Sequence, residues 1–258
     1  MDNKQNNIYP VGNKFRYKIT LEYLGAGFCG WQRQAEALSL QQLIEEAIFK
    51  FSKESVLVTA AGRTDAGVNA YGQVASFDLT AFYEPRRVMH SINHFCRPHK
   101  VGVTDCRLVE LDFNARFSAK QRYYVYKIIN RPSINIINAG LQYWVKDPLD
   151  VELMREAASY LLGKHDFSSF RAAQCQSSSP VKTISNIEII REGENIEIYV
   201  SAISFLHHMV RNIVGNLLQV GKGIWPPEKI KEILEQKDRS KGAPTAPAEG
   251  LYFLKVDY

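Results

Sequence analysis

Apolar and polar residues alternate in the first predicted element of the chain. Every second residue of 15–23 is apolar, and the residues between them are Arg, Lys, Thr and Glu. This period of two is typical of a half-buried β-strand. A helix is predicted next, because Ser39 precedes Gln42 by three residues, as in a capping box, and apolar residues recur at helical spacing over 40–51.

The second half of the chain repeats this alternation of elements. The predicted elements are a strand beginning near Arg122, a helix over 151–162, a hairpin of 187–190 and 196–200 around Gly193, a helix over 205–220 and a strand over 251–256. Asp150 and Gly163 are the start and stop signals of the first of these helices. Strands separated by helices, with hairpins among them, indicate the α+β class rather than a parallel doubly wound sheet. A soft boundary near Asp112 divides the chain into halves 1–112 and 113–258.

Composition narrows the class of protein. With 258 residues, 45% of them hydrophobic, the chain has enough apolar material for a real core. The polar stretch 1–14 lacks the apolar run of a signal peptide, and no apolar run approaches the roughly 20 residues that cross a bilayer. Four scattered cysteines without a C-x-x-C pair indicate reduced thiols. We therefore expect a soluble, cytoplasmic protein whose net charge of +5 is compatible with a polyanionic partner.

A carboxylate flanked by two glycines is the first candidate for chemistry. Asp65 lies between Gly62 and Gly67, and apolar stretches that read as strands precede and follow this segment. Glycines let the backbone turn sharply and let a ligand approach closely. Arg63 could keep Asp65 ionised or grip a phosphate. The same residues also fit an aspartate that caps a turn beside a solvated arginine, and spacing alone favours that alternative.

Aromatic and basic side chains in the second half offer two further candidates. Tyr124 and Tyr126 share one face of a predicted strand, where one of them could stack on a base; both could equally be core residues. Arg211 lies on an otherwise apolar helix face, one turn after His207, and a carboxylate such as Asp65 would suit it as a partner. The alternative for Arg211 is a packed stem whose charged head reaches water.

A metal site has little support in the sequence. His90 and His94 have i, i+4 spacing and His99 is near them, but Ser91 stands where a zinc protease has Glu. No carboxylate or cysteine completes the set. The segment 25–27 lacks the third glycine of a nucleotide fingerprint and fits a hairpin turn better.

Many motifs in the same order give the chain a resemblance to the tRNA pseudouridine synthase A (TruA-type) family. The matching segments cover nearly the whole chain and are 23–25, 28–34, 61–68, 114–119, 122–126, 166–170, 207–215 and 248–252. One departure is visible: the family usually has His after Gly-Val in the Asp65 motif, and this chain has Asn69. The departure puts in doubt any role of that position in shaping the loop or touching RNA.

The resemblance implies a fold and a function. The fold would be α+β, with two ferredoxin-like or RRM-like α/β halves whose antiparallel sheets flank a central catalytic cleft. The activity would be isomerisation of uridine to pseudouridine at positions 38, 39 and 40 of the tRNA anticodon stem-loop. Members of the family work as homodimers and use no metal or organic cofactor. A membrane partner is not expected.

The resemblance also implies roles for single residues. Asp65 matches the catalytic aspartate, Tyr124 the tyrosine that contacts the target base, and Arg211 the arginine that pairs with the catalytic carboxylate. Arg63 matches the arginine linked to extruding the nucleotide and holding the flipped state. A base inside a stem is unreachable, so it has to be flipped out at a cost of a few kcal/mol.

Two other classes of function stay open at this stage. A non-catalytic RNA-binding protein could present tyrosines from paired sheets to bases, and it would not need the set of Asp65, Tyr124 and Arg211. A metal-dependent ribonuclease would need a carboxylate cluster, for which the sequence offers no support.

Overall fold

A computed structural model describes residues 14–258, which contain ten β-strands and five α-helices. The strands are Phe15–Tyr23 (β1), Thr59–Ala60 (β2), Asn69–Leu79 (β3), Val101–Val109 (β4), Gln121–Asn130 (β5), Tyr143–Val145 (β6), Gly163–Asp166 (β7), Val181–Glu192 (β8), Asn195–Ala202 (β9) and Leu251–Asp257 (β10). The helices are Leu40–Ser52 (α1), Pro85–Cys96 (α2), Val151–Ser159 (α3), Met209–Gly221 (α4) and Lys229–Gln236 (α5). Apart from Lys14, the N-terminal stretch considered above lies outside the described residues.

All ten strands belong to one mostly antiparallel sheet. Its main order is β4-β1-β3-β10-β5-β9-β8-β7, with β2 paired to β3 and β6 paired to β5. The α+β class with antiparallel pairing is therefore confirmed. The two predicted halves contribute to one continuous sheet, because β10 pairs parallel with β3 of the first half and antiparallel with β5 of the second. The boundary near Asp112 stays a prediction; it falls in the connection between β4 and β5.

The first strand and helix form as their residue patterns predict. Tyr17, Ile19 and Leu21 are fully buried on one face of β1, while the residues between them stay partly exposed. Ser39 caps α1, since its side chain accepts a hydrogen bond from the backbone N–H of Gln42 at 3.1 Å. The side chain of Gln42 donates to Glu46 instead of closing the other half of a capping box.

Helix α3 and the β8–β9 hairpin also follow their local signals. Asp150 caps α3 by accepting from the backbone N–H groups of Glu152 and Leu153. The helix ends at Ser159, three residues before the predicted end, and a turn leads into Gly163 at a φ of 90°. Gly193, at a φ of 60°, turns the chain between β8 and β9, so the predicted hairpin is confirmed.

The last long helix begins later than predicted. Its pattern indicated a helix over 205–220, but α4 starts at Met209. The cause is His208, whose φ of 63° and ψ of 2° place it in the left-handed region and break the helical path. Residues 205–206 are therefore irregular, and 207–208 form a turn before the helix.

Helices bury the apolar positions of the sheet. Helix α2 packs along β4 and beside α1, and α3 packs along β8 and beside α4. The resulting core is continuous and runs from β1 to α5. All four cysteines are free thiols, as predicted. Among the described residues, no helix combines the length and the apolar character that a membrane crossing needs.

Candidate active site

Residues 61–68, here called the Asp65 loop, connect β2 to β3. The backbone N–H of Ala61 donates to Val74 at 2.8 Å and keeps the start of the loop on the sheet. The loop then turns, because the N–H of Val68 donates to the carbonyl of Asp65 at 3.2 Å and Gly67 has a φ of 78°. Asp65 therefore stands at the tip of a turn between two anchored strands.

Buried polar groups fix the Asp65 loop from below. The hydroxyl of Thr64, a buried side chain, lies 2.8 Å from the hydroxyl of Tyr23. Gln73 donates to the carbonyl of Gly62 at 2.7 Å. Gly30 has a φ of 105°, and a side chain there would bring a Cβ to 2.7 Å from the carbonyl of Thr64. The loop therefore has little freedom to shift, which favours a fixed carboxylate.

Asn69, the departure from the family pattern, is a buried structural residue. It is 1% exposed, and its Oδ1 accepts from the backbone N–H of Gly25 at 2.8 Å. Its Nδ2 donates to the carbonyl of Glu249 at 3.0 Å. The side chain therefore joins three distant segments beneath the Asp65 loop and is not available to contact RNA.

Three nitrogen groups from one segment of the chain surround the Asp65 carboxylate. Arg211 Nη1 donates to Oδ2 at 2.9 Å, and the Nε of the same guanidinium donates to the carbonyl of Ala246 at 2.8 Å. His207 Nε2 lies 3.3 Å from Oδ1, and His208 Nε2 lies 3.5 Å from Oδ2. The structure thus brings together Asp65 and Arg211, as the resemblance implied, and adds two histidines. The Asp65 side chain remains 15% exposed, so a ligand can reach it.

The neighbours of Asp65 keep it ionised. Burial by itself raises the pKa of Asp65, but His207, His208 and Arg211 together outweigh that effect. The net result is a pKa below the usual value of 3.8. At neutral pH the group is a carboxylate, able to act as a nucleophile or as a base.

Tyr124 lies beside the Asp65 loop, whereas Tyr126 is a core residue. The ring of Tyr124 makes edge-to-face contacts with Phe205 and Phe253, with centroids 5.1 Å apart in both pairs. Its hydroxyl is close to the loop, since a Cβ on Gly62 would lie 3.4 Å from that oxygen. Tyr126 uses its hydroxyl to donate to the carbonyl of Pro247 at 2.8 Å. Of the two candidate tyrosines, only Tyr124 faces the carboxylate.

The hydroxyl of Tyr124 is held in its neutral form. Burial raises its pKa well above the usual value of 10.0, and the negative charge of Asp65 raises it further. A neutral phenol can donate or accept a hydrogen bond at a bound ligand, but it is not a tyrosinate.

Arg63 does not pair with Asp65. Its side chain is exposed, and it forms no hydrogen bond or ion pair with any other residue of 14–258. The sequence suggested two roles for Arg63, to keep Asp65 ionised or to bind a phosphate. Arg211 and the two histidines fill the first role. Binding a phosphate or filling the space of a flipped base stays open for this free cation.

Arg122 organises the site from below, although the sequence did not single it out. Its guanidinium is buried and donates hydrogen bonds to three backbone carbonyls. Nε donates to Ala61 at 2.8 Å, Nη2 to Arg116 at 2.5 Å, and Nη1 to Ile203. Burial lowers its pKa. One side chain therefore joins the start of the Asp65 loop to the segment that carries His207. The signals in the sequence are an arginine near the start of a largely apolar strand and its place in segment 122–126 of the family resemblance.

The side chains of Asp65, His207 and His208 are of types that bind metals, and their ligand atoms lie within 4.8 Å of one another. Arg211 already binds the same carboxylate, so a cation there would stand beside a guanidinium, and we assign no metal role to the group. His90 and His94 are exposed on α2 and join no such group of three within the described part of the chain.

Comparison with known proteins assigns the chain to a family. The family model described as tRNA pseudouridine synthase matches residues 157–258. The chain is 56% identical over 244 residues to tRNA pseudouridine synthase A of Ehrlichia canis (strain Jake), which covers 94% of this chain and 100% of that protein. It is 53% identical over 244 residues to the protein of that name from Ehrlichia ruminantium (strain Welgevonden), which covers 94% and 99%. The chain therefore belongs to the tRNA pseudouridine synthase A family, and the resemblance seen in the sequence is confirmed.

Among solved structures, the chain is similar to the crystal structure of a Cbf5-Nop10-Gar1 complex. The sequence identity is 12% and the TM-score 0.34, and the match covers 78% of this chain and 45% of that one. A likeness this weak carries no argument about the site, so the family assignment rests on the sequence relatives.

Proposed function

We propose that this protein isomerises uridine to pseudouridine in tRNA, at positions 38, 39 and 40 of the anticodon stem-loop, with Asp65 as the catalytic carboxylate. The observation that carries the proposal is the ion pair of Asp65 with Arg211, 2.9 Å long, in a member of the tRNA pseudouridine synthase A family. An ionised carboxylate that is fixed by an arginine and still partly exposed suits a reaction at a flipped nucleotide.

The reaction balances within one nucleoside. The bond between N1 and C1′ breaks, the uracil rotates, and a bond forms between C5 and C1′; the proton on C5 leaves and N1 gains one. Asp65 acts as a nucleophile on the sugar or the base, or as a base at C2′. Arg211 keeps the carboxylate ionised and oriented for each of these steps.

Tyr124 and Arg63 have separate roles in this proposal. Tyr124 contacts the target base, because its ring is buried against Phe205 and Phe253 with the hydroxyl directed at the Asp65 loop. As a neutral phenol it assists removal of the C5 proton through a hydrogen bond rather than as a tyrosinate. Arg63, an exposed cation two residues from Asp65, offsets the cost of flipping by binding backbone phosphate or filling the gap in the stem.

Binding of the tRNA rests on shape and charge. The chain has 32 Lys and Arg residues against 27 Asp and Glu residues, an excess that favours a polyanion. In line with its family, we propose that the protein works as a homodimer and in the cytoplasm. Sedimentation of the purified protein, with and without tRNA, measures whether it is a homodimer.

Release of tritium from tRNA labelled at C5 of uridine tests the proposed function. Wild-type protein should release label, and Asp65→Asn should abolish release while leaving tRNA binding largely intact. Equal release by wild type and Asp65→Asn would sink the enzyme proposal and leave a non-catalytic RNA-binding protein. A large loss of tRNA affinity in Asp65→Asn would make the residue a binding or folding element instead.

The same reactions with labelled tRNA also distinguish an isomerase from a metal-dependent ribonuclease. The grouping of Asp65 with His207 and His208 gives that alternative a donor set that the sequence alone did not offer. A nuclease cleaves the tRNA and loses activity when a chelator is added. Intact tRNA on a denaturing gel, with label release unchanged by chelator, supports the isomerase.

A further inference from the structure

His208 has an uncommon backbone conformation directly before α4. Its φ of 63° and ψ of 2° lie in the left-handed region, which brings the Cβ of a non-glycine residue too close to its own carbonyl oxygen. Glycine and asparagine adopt this conformation more easily. Such strain persists where the surrounding structure requires it. Lys53 and Lys237 also have a positive φ, but of the three only His208 contacts the Asp65 carboxylate.

The left-handed residue sets the direction of the histidine pair. The turn is closed by the N–H of Met209, which donates to Leu206 at 3.1 Å, and the carbonyl of His207 accepts from Ala172 at 2.9 Å. In this arrangement the ring of His208 places Nε2 3.5 Å from Oδ2 of Asp65. A right-handed backbone at His208 would change the direction of the chain at this point and, with it, the direction of the His208 ring.

His208 contacts Asp65 as a neutral group. Burial lowers its pKa below the usual value of 6.5, and Asp65 opposes this effect. Three neighbouring basic groups lower the pKa of His208 further: His207, Arg211 and Arg239. A neutral imidazole lies against the carboxylate without changing the charge of the site.

Two side chains therefore lie against Oδ2 of Asp65. Arg211 Nη1 brings the positive charge at 2.9 Å, and His208 brings a neutral nitrogen at 3.5 Å. Oδ1 lies 3.3 Å from Nε2 of His207, whose side chain is 41% exposed. Of the three nitrogen groups around the carboxylate, the one beside Oδ1 is therefore the most exposed.

We propose that His208 is a positioning residue for Asp65, holding Oδ2 beside Arg211 so that Oδ1 faces the nucleotide. The inference rests on the proposed function, in which Asp65 is the carboxylate that reacts. Arg211 donates a hydrogen bond to Oδ2 and the ring of His208 lies against the same oxygen, which restricts rotation of the carboxylate. A misplacement of about 1 Å at a reacting group costs about 100-fold in rate. The left-handed backbone of His208 thus places its ring against the carboxylate.

Three variants separate the side chain of His208 from its backbone. His208→Gly removes the ring and relieves the left-handed conformation, whereas His208→Gln keeps an amide N–H at about the reach of Nε2. Lys53→Gly is the matched control, because Lys53 has a φ of 62° at the exposed end of α1 and donates hydrogen bonds to Lys50 and Phe49 of that helix. Both glycine variants should melt at or above the wild-type temperature.

Only His208→Gly should slow the reaction. We expect kcat to fall roughly 10- to 100-fold with tRNA affinity unchanged, and His208→Gln to recover much of that loss. Lys53→Gly should keep the wild-type rate. If His208→Gly unfolds, His208→Asn takes its place, since asparagine accepts the left-handed conformation and its shorter side chain should give the same slow rate.

The outcomes distinguish this inference from the proposed function. A wild-type kcat in His208→Gly, or an effect on tRNA affinity alone, would overturn the positioning role. If Asp65→Asn releases tritium as fast as wild type, the proposed function fails and the inference fails with it. If Asp65→Asn is inactive while His208→Gly is fully active, only the inference fails.

Discussion

Arg211 and Asp65 form an ion pair between residues 146 positions apart, with Nη1 and Oδ2 separated by 2.9 Å. Both side chains are largely buried, at 14% and 15% exposure, so the pair is screened less than one on the surface. Because Arg211 also donates to the carbonyl of Ala246, the guanidinium cannot turn away from the carboxylate without breaking a second bond. The pair joins the Asp65 loop to α4.

Replacing Arg211 should affect turnover more than stability. Arg211→Ala removes a hydrogen bond to a charged group, worth about 1.5–3 kcal/mol, and we expect a loss of about 10- to 100-fold in kcat. Arg211→Lys keeps the charge but not both bonds, so its rate should lie between those of Arg211→Ala and wild type. Single-turnover rates and thermal melting measure the two effects. A variant that simply unfolds would indicate that Arg211 serves core packing instead.

Removing the hydroxyl of Tyr124 should slow the reaction without loosening the fold. Tyr124→Phe retains the ring contacts with Phe205 and Phe253, so its melting temperature should match wild type. Loss of a group that assists proton transfer typically costs about 100-fold or more. The matched control is Tyr126→Phe, which loses the bond to Pro247 and should cost about 1 kcal/mol of stability with little change in rate. Equal rates for the two variants would remove Tyr124 from the mechanism.

The elements with local signals could be predicted from the sequence. The alternation of β1 and the caps at Ser39 and Asp150 depend on residues close together in the chain, and each was found where expected. The single sheet was not predicted, because it depends on β10 pairing with two strands distant in sequence. Nothing local indicates that register.

In the candidate site, too, some features could be predicted from the sequence and others depend on contacts between distant segments. The pairing of Asp65 with Arg211 was expected from the family resemblance and from an arginine on an apolar helix face. The spacing of apolar residues places His208 in a helix, because a left-handed backbone at one residue does not alter that spacing. The three carbonyls that Arg122 binds come from separate segments, so its role is visible only once the chain is folded.

Replacing Arg122 should reduce both stability and rate. Arg122→Ala leaves three carbonyl groups without their donor, and we expect about 2–4 kcal/mol less free energy of unfolding. The folded fraction should also react more slowly, because the Asp65 loop loses its link to Ile203. Arg16→Ala is the control, since Arg16 likewise binds two carbonyls and pairs with Asp78 on β1 and β3. Urea denaturation and single-turnover rates should show a loss of stability in both variants and a loss of rate in Arg122→Ala alone.

His207 should make stability depend on pH. Asp65 raises the pKa of His207, more strongly than burial and Arg211 lower it. A raised pKa means that the folded state binds the proton more tightly, so this stabilisation is present below the usual value of 6.5 and is lost as pH rises through the higher folded value. Asp65 stays ionised throughout this window, because its own pKa lies below 3.8.

Urea denaturation at about pH 5.5 and about pH 8.5 measures the free energy of unfolding and tests whether His207 stabilises the protein more at low pH. The advantage of wild type over His207→Gln should be larger at the lower pH. His90→Gln, exposed on α2, is the control and should leave the profile unchanged. An advantage that grows toward high pH would contradict the raised pKa of His207.

Asn69 allows a test of the one visible departure from the family pattern. Its side chain satisfies the N–H of Gly25 and the carbonyl of Glu249, both beneath the Asp65 loop. Asn69→Ala leaves these groups without a partner, at about 1–3 kcal/mol each, so the variant should melt clearly below wild type. Asn69→His restores the residue usual in the family, and a neutral imidazole also has one acceptor and one donor. We expect it to keep most of the stability and the wild-type tRNA affinity. A gain in tRNA affinity would mean that this position reaches RNA after all, because a buried link between two backbone groups has no way to raise it.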